Sequence, residues 1–200
     1  MSLDILITGV GGQGQVLASR LIAAAAINDG KFVRTGETIG MSQRGGCVVS
    51  HIRIGDSCKS ATIPLGSADL IIGFELCETA RILNRLKKDG KILLNNQIIN
   101  PITVSLGMEA YDAQAMERAI EKAASSLITV DGYALAEEAG SVKAVNVVLL
   151  GAAVGSGYLP LSRESFQKAL TENIPPRFQE LNQKAFEAGY AYAAKALSLK

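Results

Sequence analysis

Gly9-Val10-Gly11-Gly12-Gln13-Gly14 sets bare backbone between a strand-like run, DILIT, and a helix-like run, QVLASRLIAAAAI. Glycines at such a junction let an anion approach the free N–H groups of a helix N-terminus, where the helix dipole attracts it. The six residues fit G-x-G-x-x-G, the dinucleotide fingerprint, which also wants an acid at the end of the next strand to hold ribose hydroxyls. Glu37 lies two residues past the expected strand end, and Arg34, just before it, would suit a 2′-phosphate. Three readings of the turn stay open: an independent NAD(P) site, a packing turn that seats a helix tightly on a sheet, or a binding or shaping part of a larger assembly.

A second element is Ser42-Gln43-Arg44-Gly45-Gly46. Arginine offers a planar fork of donors suited to carboxylate or phosphate, and the glycine pair leaves backbone accessible beside it. A loop arginine can equally tie down a helix C-terminus or make an intrachain ion pair. His51, the single histidine, follows within a β-branched run and has no Cys or acid partner nearby in sequence; it reads as a hydrogen-bonded strand residue. Asp69, Glu75 and Glu78 gather at a strand–helix corner, where acids commonly complement the helix dipole.

Cys47, Cys58 and Cys77 are odd in number and widely spaced, with no C-x-x-C pair. With one histidine they are too few for a zinc site, and an iron–sulfur cluster normally takes four thiolates. They read as reduced thiols acting as small hydrophobes. No G-x-S-x-G, HExxH or Walker lysine occurs. We therefore expect no catalytic residue, no metal site and no cofactor held by this chain alone.

The elements that must position these residues follow the hydrophobic pattern. The opening reads as βαβ: a strand at about Asp4 to Thr8, a helix at about Gln13 to Ile27 ended by Asp29-Gly30, and a strand at Lys31 to Thr35. Strands are expected at Cys47 to Ile54, about Asp69 to Gly73, Lys91 to Asn95 and Leu127 to Asp131. Helices are expected at about Leu76 to Lys88, with Gly90 as C-cap, and over AQAMERAIEKAASSL. The last third is helical: ALAEEAG, the apolar VNVVLLGAAVG, a helix capped by Ser162 that stops before Pro175-Pro176, and a closing helix from Arg177 to Leu197. The closing helix carries small residues suited to close packing, which invites a homodimer. The alternation predicts an α/β fold with a Rossmann-like, doubly wound, mostly parallel sheet, organised as one domain over residues 1–200.

Composition agrees. An apolar fraction of 48% supplies a core, and a formal net charge of +1 gives no reason to expect nucleic acid or an acidic membrane surface as partner. No apolar run reaches the roughly 18 residues of a spanning helix. The N-terminus moves almost at once into strand-like sequence, so a cytoplasmic protein without signal peptide is expected.

Four stretches in order, GVGGQGQVLASRLIAAAA, ETIGMSQRGGCVVSHIRIG, ADLIIGFELCETARIL and VNVVLLGA, with a closing LNQKAFEAGY, resemble the gamma-type domain of 2-oxoacid:ferredoxin oxidoreductases. The GMSQRGG loop followed by VVSH is most similar to the indolepyruvate branch. One departure is Ile39, where related sequences of that branch often carry His, so no proton-transfer role carries over to that position.

The resemblance implies a subunit that is inactive alone. It implies a large catalytic partner carrying thiamine diphosphate and iron–sulfur clusters, with oxidative decarboxylation of an aryl or other 2-oxo acid, coenzyme A taking the acyl group and ferredoxin the electrons. On this reading Gly9, Gly11, Gly12, Gln13 and Gly14 converge with Ser42, Gln43, Arg44, Gly45 and Gly46 at the C-terminal edge of the sheet, facing coenzyme A phosphate or a partner carboxylate. The runners-up are a stand-alone NAD(P)-dependent oxidoreductase and a nucleotide-binding regulatory module without turnover.

Overall fold

Alternation along the first strand sets the layers. Ile5 and Ile7 point into one apolar cluster and Leu6 into another, so both faces of the sheet are covered. The computed structural model describes residues 2–40, 46–56 and 59–198. Within these, β1 (Leu3–Val10), β2 (Val33–Ile39), β3 (Cys47–Ile54), β4 (Ala68–Gly73), β5 (Leu86–Asn95) and β6 (Ser126–Val130) form one sheet in the order β2-β3-β1-β4-β5-β6. The helices are α1 (Gln15–Asn28), α2 (Leu76–Arg81), α3 (Ile102–Ser105), α4 (Ala113–Ala123), α5 (Gly132–Ala139), α6 (Val145–Gly155), α7 (Arg163–Asn173) and α8 (Pro176–Ser198). The larger cluster joins the sheet to α1 and to α5 through α8, and the smaller one joins it to α2 and α4.

β1, β4, β5 and β6 run parallel, as expected for a doubly wound sheet. The departure is β3, which is antiparallel to both β1 and β2 and lies between them. β2 thus runs the same way as β1 but one strand removed, and the βαβ opening encloses the returning arm of a hairpin. This places the β2–β3 connection at the carboxyl ends of the parallel strands.

The expected helix from Leu76 to Lys88 ends at Arg81, and after a single 3₁₀ turn the chain enters β5 at Leu86. Gly90 is not a C-cap. It sits in β5, where a Cβ would come within 2.9 Å of Ala68 O. Pairing of Leu86 with Ala68, across a bulge in the β4–β5 ladder, has overridden the local helical pattern.

The small residues of α8 are used within the chain. A Cβ on Gly189 would lie 1.9 Å from Val148 O, and one on Gly151 2.0 Å from Phe186 O, so α6 and α8 cross at backbone contact. The stripe read as an invitation to a second copy seats the buried, apolar α6. Ser162 caps α7, its hydroxyl accepting from Ser165 N at 3.1 Å. Among the described residues no helix is long and apolar enough to cross a membrane.

Candidate functional site

The glycine turn links the carboxyl end of β1 to α1. Gly14, at φ 87°, is the N-cap, and no side chain caps the helix. Gly12, at φ 105°, faces open space; both conformations are rare for residues with a Cβ. Gly9 is glycine for a different reason. A Cβ there would fall 2.5 Å from Gln15 Nε2, 2.6 Å from Gln13 Oε1 and 2.8 Å from Phe74 Cβ.

Two glutamines therefore fill the inner side of the turn. Gln13 Oε1 accepts from Val10 N at 2.8 Å, while its Nε2 donates to Phe74 O at 3.1 Å. Gln15 Nε2 donates to Val10 O at 2.8 Å. Asn95, fully buried at the end of β5, donates to the same Phe74 O at 3.0 Å and accepts from Gly132 N at 2.9 Å. Side-chain amides thus knit together the ends of β1, β4 and β5 and the start of α5. Each buried backbone group in the set has a partner, as a low-dielectric interior requires.

The outer side of the turn remains open. Gly12, Gln13, Gly14 and Leu17 form one wall of a cleft of about 430 Å³, and Tyr133, Lys143 and Asn146 stand among the residues opposite. An uncapped helix N-terminus and a lysine give this cleft its chemistry: it suits an anion. A second cavity of about 350 Å³ shares Leu17, Lys143 and Asn146 and extends between apolar Ile174, Phe178 and Leu181.

Gly11 N donates to Gly46 O at 2.9 Å, and Gly40 N to Cys47 O at 3.0 Å. The two ends of the β2–β3 connection thus meet beside the glycine turn. The predicted site residues Ser42, Gln43, Arg44 and Gly45 lie outside the described residues. The dinucleotide reading is weakened by the inserted strand. Glu37 is exposed on the edge strand β2 and pairs with Ser50 of β3, which adds a strand spacing of roughly 4.8 Å to its separation from β1. Arg34 stacks over Phe32, 5.0 Å from the ring centroid.

The remaining chemically suggestive residues are structural. His51 Nδ1 accepts from Ile63 N at 3.1 Å, and burial, followed by the nearby Arg85, holds its pKa below the usual imidazole value. Burial, with the Glu78 carboxylate alongside, pushes the Cys47 thiol up to about 12, the opposite of an activated nucleophile. Glu75 is fully buried; its Oε2 accepts from Glu78 N at 2.9 Å and caps α2. Its Oε1 accepts from Ile99 N and Tyr111 Oη, each at 3.2 Å. Asp69 Oδ2 accepts from Asp4 N at 2.7 Å, and Asp4 holds Arg53 through both carboxylate oxygens at 2.9 Å.

Sequence reading missed Gln15, Asn95, Tyr133, Lys143 and Asn146. The available signal was polarity out of place: Asn95 ends the apolar ILL, and Asn146 interrupts an otherwise apolar helix. Among the described residues the cleft combines an uncapped helix N-terminus with a lysine, and no nucleophile–base pair lines it.

The family model for pyruvate ferredoxin/flavodoxin oxidoreductase matches residues 4–192. The indolepyruvate oxidoreductase subunit IorB of Pyrococcus horikoshii is 40% identical over 198 residues, covering 98% of both chains. The pyruvate synthase subunit PorC of Methanocaldococcus jannaschii is 29% identical over 190 residues, 94% of this chain and 95% of that one. Among solved structures, the gamma subunit of a keto/oxoacid ferredoxin oxidoreductase from Geobacter sulfurreducens superposes with a TM-score of 0.72 at 26% identity, over 96% of this chain and 99% of that one. The chain belongs to the pyruvate ferredoxin/flavodoxin oxidoreductase family.

Proposed function

We propose that this chain is the small subunit of a 2-oxoacid:ferredoxin oxidoreductase acting on indolepyruvate or another aryl pyruvate. The observation that carries this reading is the end-to-end match to IorB subunits, in a chain whose site is built to bind rather than to break bonds. Thiamine diphosphate and iron–sulfur clusters supply decarboxylation and single-electron transfer to ferredoxin in such an enzyme, and both belong to a large partner chain. A four-thiolate cluster does not fit here: the sequence has three cysteines, and among the described residues no group of three or more His, Cys, Asp or Glu could hold a metal.

The contribution of this chain is electrostatic and positional. The N-terminus of α1 and Lys143 line the cleft for one anion, a coenzyme A phosphate or a partner carboxylate, and Gln43 and Arg44 are the donors we propose to complete its recognition. The Gly11–Gly46 hydrogen bond supports this convergence.

Anaerobic affinity purification from the native cells tests the assignment. A large co-purifying chain with iron–sulfur absorbance and aryl-pyruvate:ferredoxin activity is expected; a chain that emerges alone and colourless overturns it. In the complex, Arg44→Ala should weaken coenzyme A use or assembly, with Arg44→Lys rescuing only in part because the fork geometry is lost.

A further inference from the structure

The segment between β5 and α4 exposes four large apolar side chains in succession. Ile98, Ile102, Leu106 and Met108 are 42%, 67%, 68% and 73% exposed. Ile102 and Leu106, four residues apart, share one side of the α3 turn. The backbone beneath them is built, not slack. Met108 N donates to Thr103 O at 2.8 Å and Gly107 takes φ 70°, which closes the turn in the manner of a Schellman cap. Glu75, buried in the body, fastens the segment on both sides of the apolar stretch through Ile99 N and Tyr111 Oη. Leu76 N adds a bond to Gln97 O at 3.1 Å.

An ordered turn that displays apolar side chains to water marks an interaction surface. From Asn96 to Glu117 the sequence has no Lys or Arg, and Glu109 and Asp112 stand exposed at the end of the stretch. A two-fold contact would pack this Lys- and Arg-free stretch against itself, so its carboxylates would find no cation in it, which disfavours a second copy. The root of the segment is wired to the glycine turn, because Asn95 and Gln13 donate to the same carbonyl, Phe74 O. Both features leave the same edge of the sheet.

We infer that Ile98, Ile102, Leu106 and Met108, rimmed by Glu109 and Asp112, form a docking surface for a different protein chain, one that presents an apolar pocket bordered by Lys or Arg. This rests on the subunit reading and identifies that occupant with the large chain of the enzyme. Docking there covers the sheet edge that holds the anion-receptive turn.

The test uses the two-chain complex produced by co-expression, with the large chain identified by mass and cluster absorbance. Ile102→Lys/Leu106→Lys should weaken association at least tenfold while the free chain keeps its melting temperature. Ile27→Lys, an exposed site at the far end of α1, should leave association unchanged. Glu109→Lys/Asp112→Lys should weaken association and flatten its salt dependence. Wild-type affinity in Ile102→Lys/Leu106→Lys overturns the surface while leaving the subunit assignment standing. Tighter binding by the charge-reversed variant overturns the basic rim. If the wild-type chain binds no large chain, the subunit reading fails and this surface with it. A free chain that dimerises, and becomes monomeric with Ile102→Lys/Leu106→Lys, assigns the surface to a second copy and overturns the proposal.

Discussion

The amide of Gly11 donates to the carbonyl of Gly46 at 2.9 Å, joining the glycine turn to the residue that leads into β3, 35 residues further along the chain. Neither motif is a site by itself. The turn supplies an uncapped helix N-terminus, Gly46 at the start of β3 meets it through this bond, and Lys143 lines the same cleft.

Gln13 should matter for stability as well as for binding. Gln13→Ala leaves the half-buried Val10 N–H without its side-chain acceptor and removes one of two side-chain donors to Phe74 O, so a loss of about 1–3 kcal/mol is expected. Gln13→Glu should lose more, because it sets a negative charge against the Phe74 carbonyl. Urea midpoints of the three proteins rank the effects, and equal midpoints would remove the bridging role.

His51 predicts acid sensitivity. The free imidazole titrates near 6.5 and the folded one lower, so the unfolded chain binds the proton first as pH falls. The stability that comes from keeping His51 neutral is complete above about pH 6.5 and is lost as pH drops toward the folded value. His51→Phe should cost about 1–3 kcal/mol at pH 7.5, because Ile63 N loses its acceptor, and should reduce the slope between pH 7.5 and 5.5. Denaturant titrations at the two pH values check both parts.

Asp29 ties the end of α1 to the start of α7. Its carboxylate accepts from Ser162 N at 3.0 Å, from Ser162 Oγ at 2.9 Å and from Ser165 Oγ. Burial alone would raise its pKa, but the hydrogen bonds from Ser165 and Ser162 outweigh this and hold it below the usual value. That stability is present above the unfolded pKa, near 3.9, and is lost as pH falls through the lower folded value. Asp29→Ala should destabilise the protein by about 1–3 kcal/mol at neutral pH, with the difference from wild type shrinking in acid. Thermal unfolding across an acid series measures it.

The α6–α8 crossing should tolerate no added carbon. Gly189→Ala drives a methyl into Val148 O and should cost about 3 kcal/mol or more, seen as loss of soluble yield or a large fall in melting temperature. Gly157→Asn, at φ 64° with open space around it, should cost under about 1 kcal/mol. Similar melting temperatures for the two variants would show that the helices separate without difficulty.

The strand Cys47–Ile54 and the helix Val145–Gly155 were legible to their last residues because their composition and their boundaries agree. LKKDG was not, since its charges and glycine mimic a helix end while its conformation is set by pairing with Ala68 and Leu70 from another strand. Strand neighbours were equally hidden: nothing local in CVVSHIRI says that it separates β1 from β2. At the site, the glycine spacing revealed a turn. Why Gly9 must be bare depends on Gln13, Gln15 and Phe74 meeting in space. The clamp from Glu75 to Ile99 and Tyr111 was invisible for the same reason, although Glu75 itself was read correctly as an acid at a helix start.

The inserted strand also dictates the order in which the protein can assemble during synthesis. β1 is made first, yet both its neighbours, β3 and β4, come much later in the chain. At roughly 5–20 residues per second, about 3–10 s pass before Ile54 is polymerised to meet Leu3. During that interval a strand with six buried residues has no neighbour on either side. The β2–β3 hairpin closes a much shorter loop than the β1–β3 pairing, so the loop-closure cost favours its forming first and offering β1 a template. Lengthening the hairpin connection should therefore delay burial of β1 and increase aggregation during expression before it affects the finished fold.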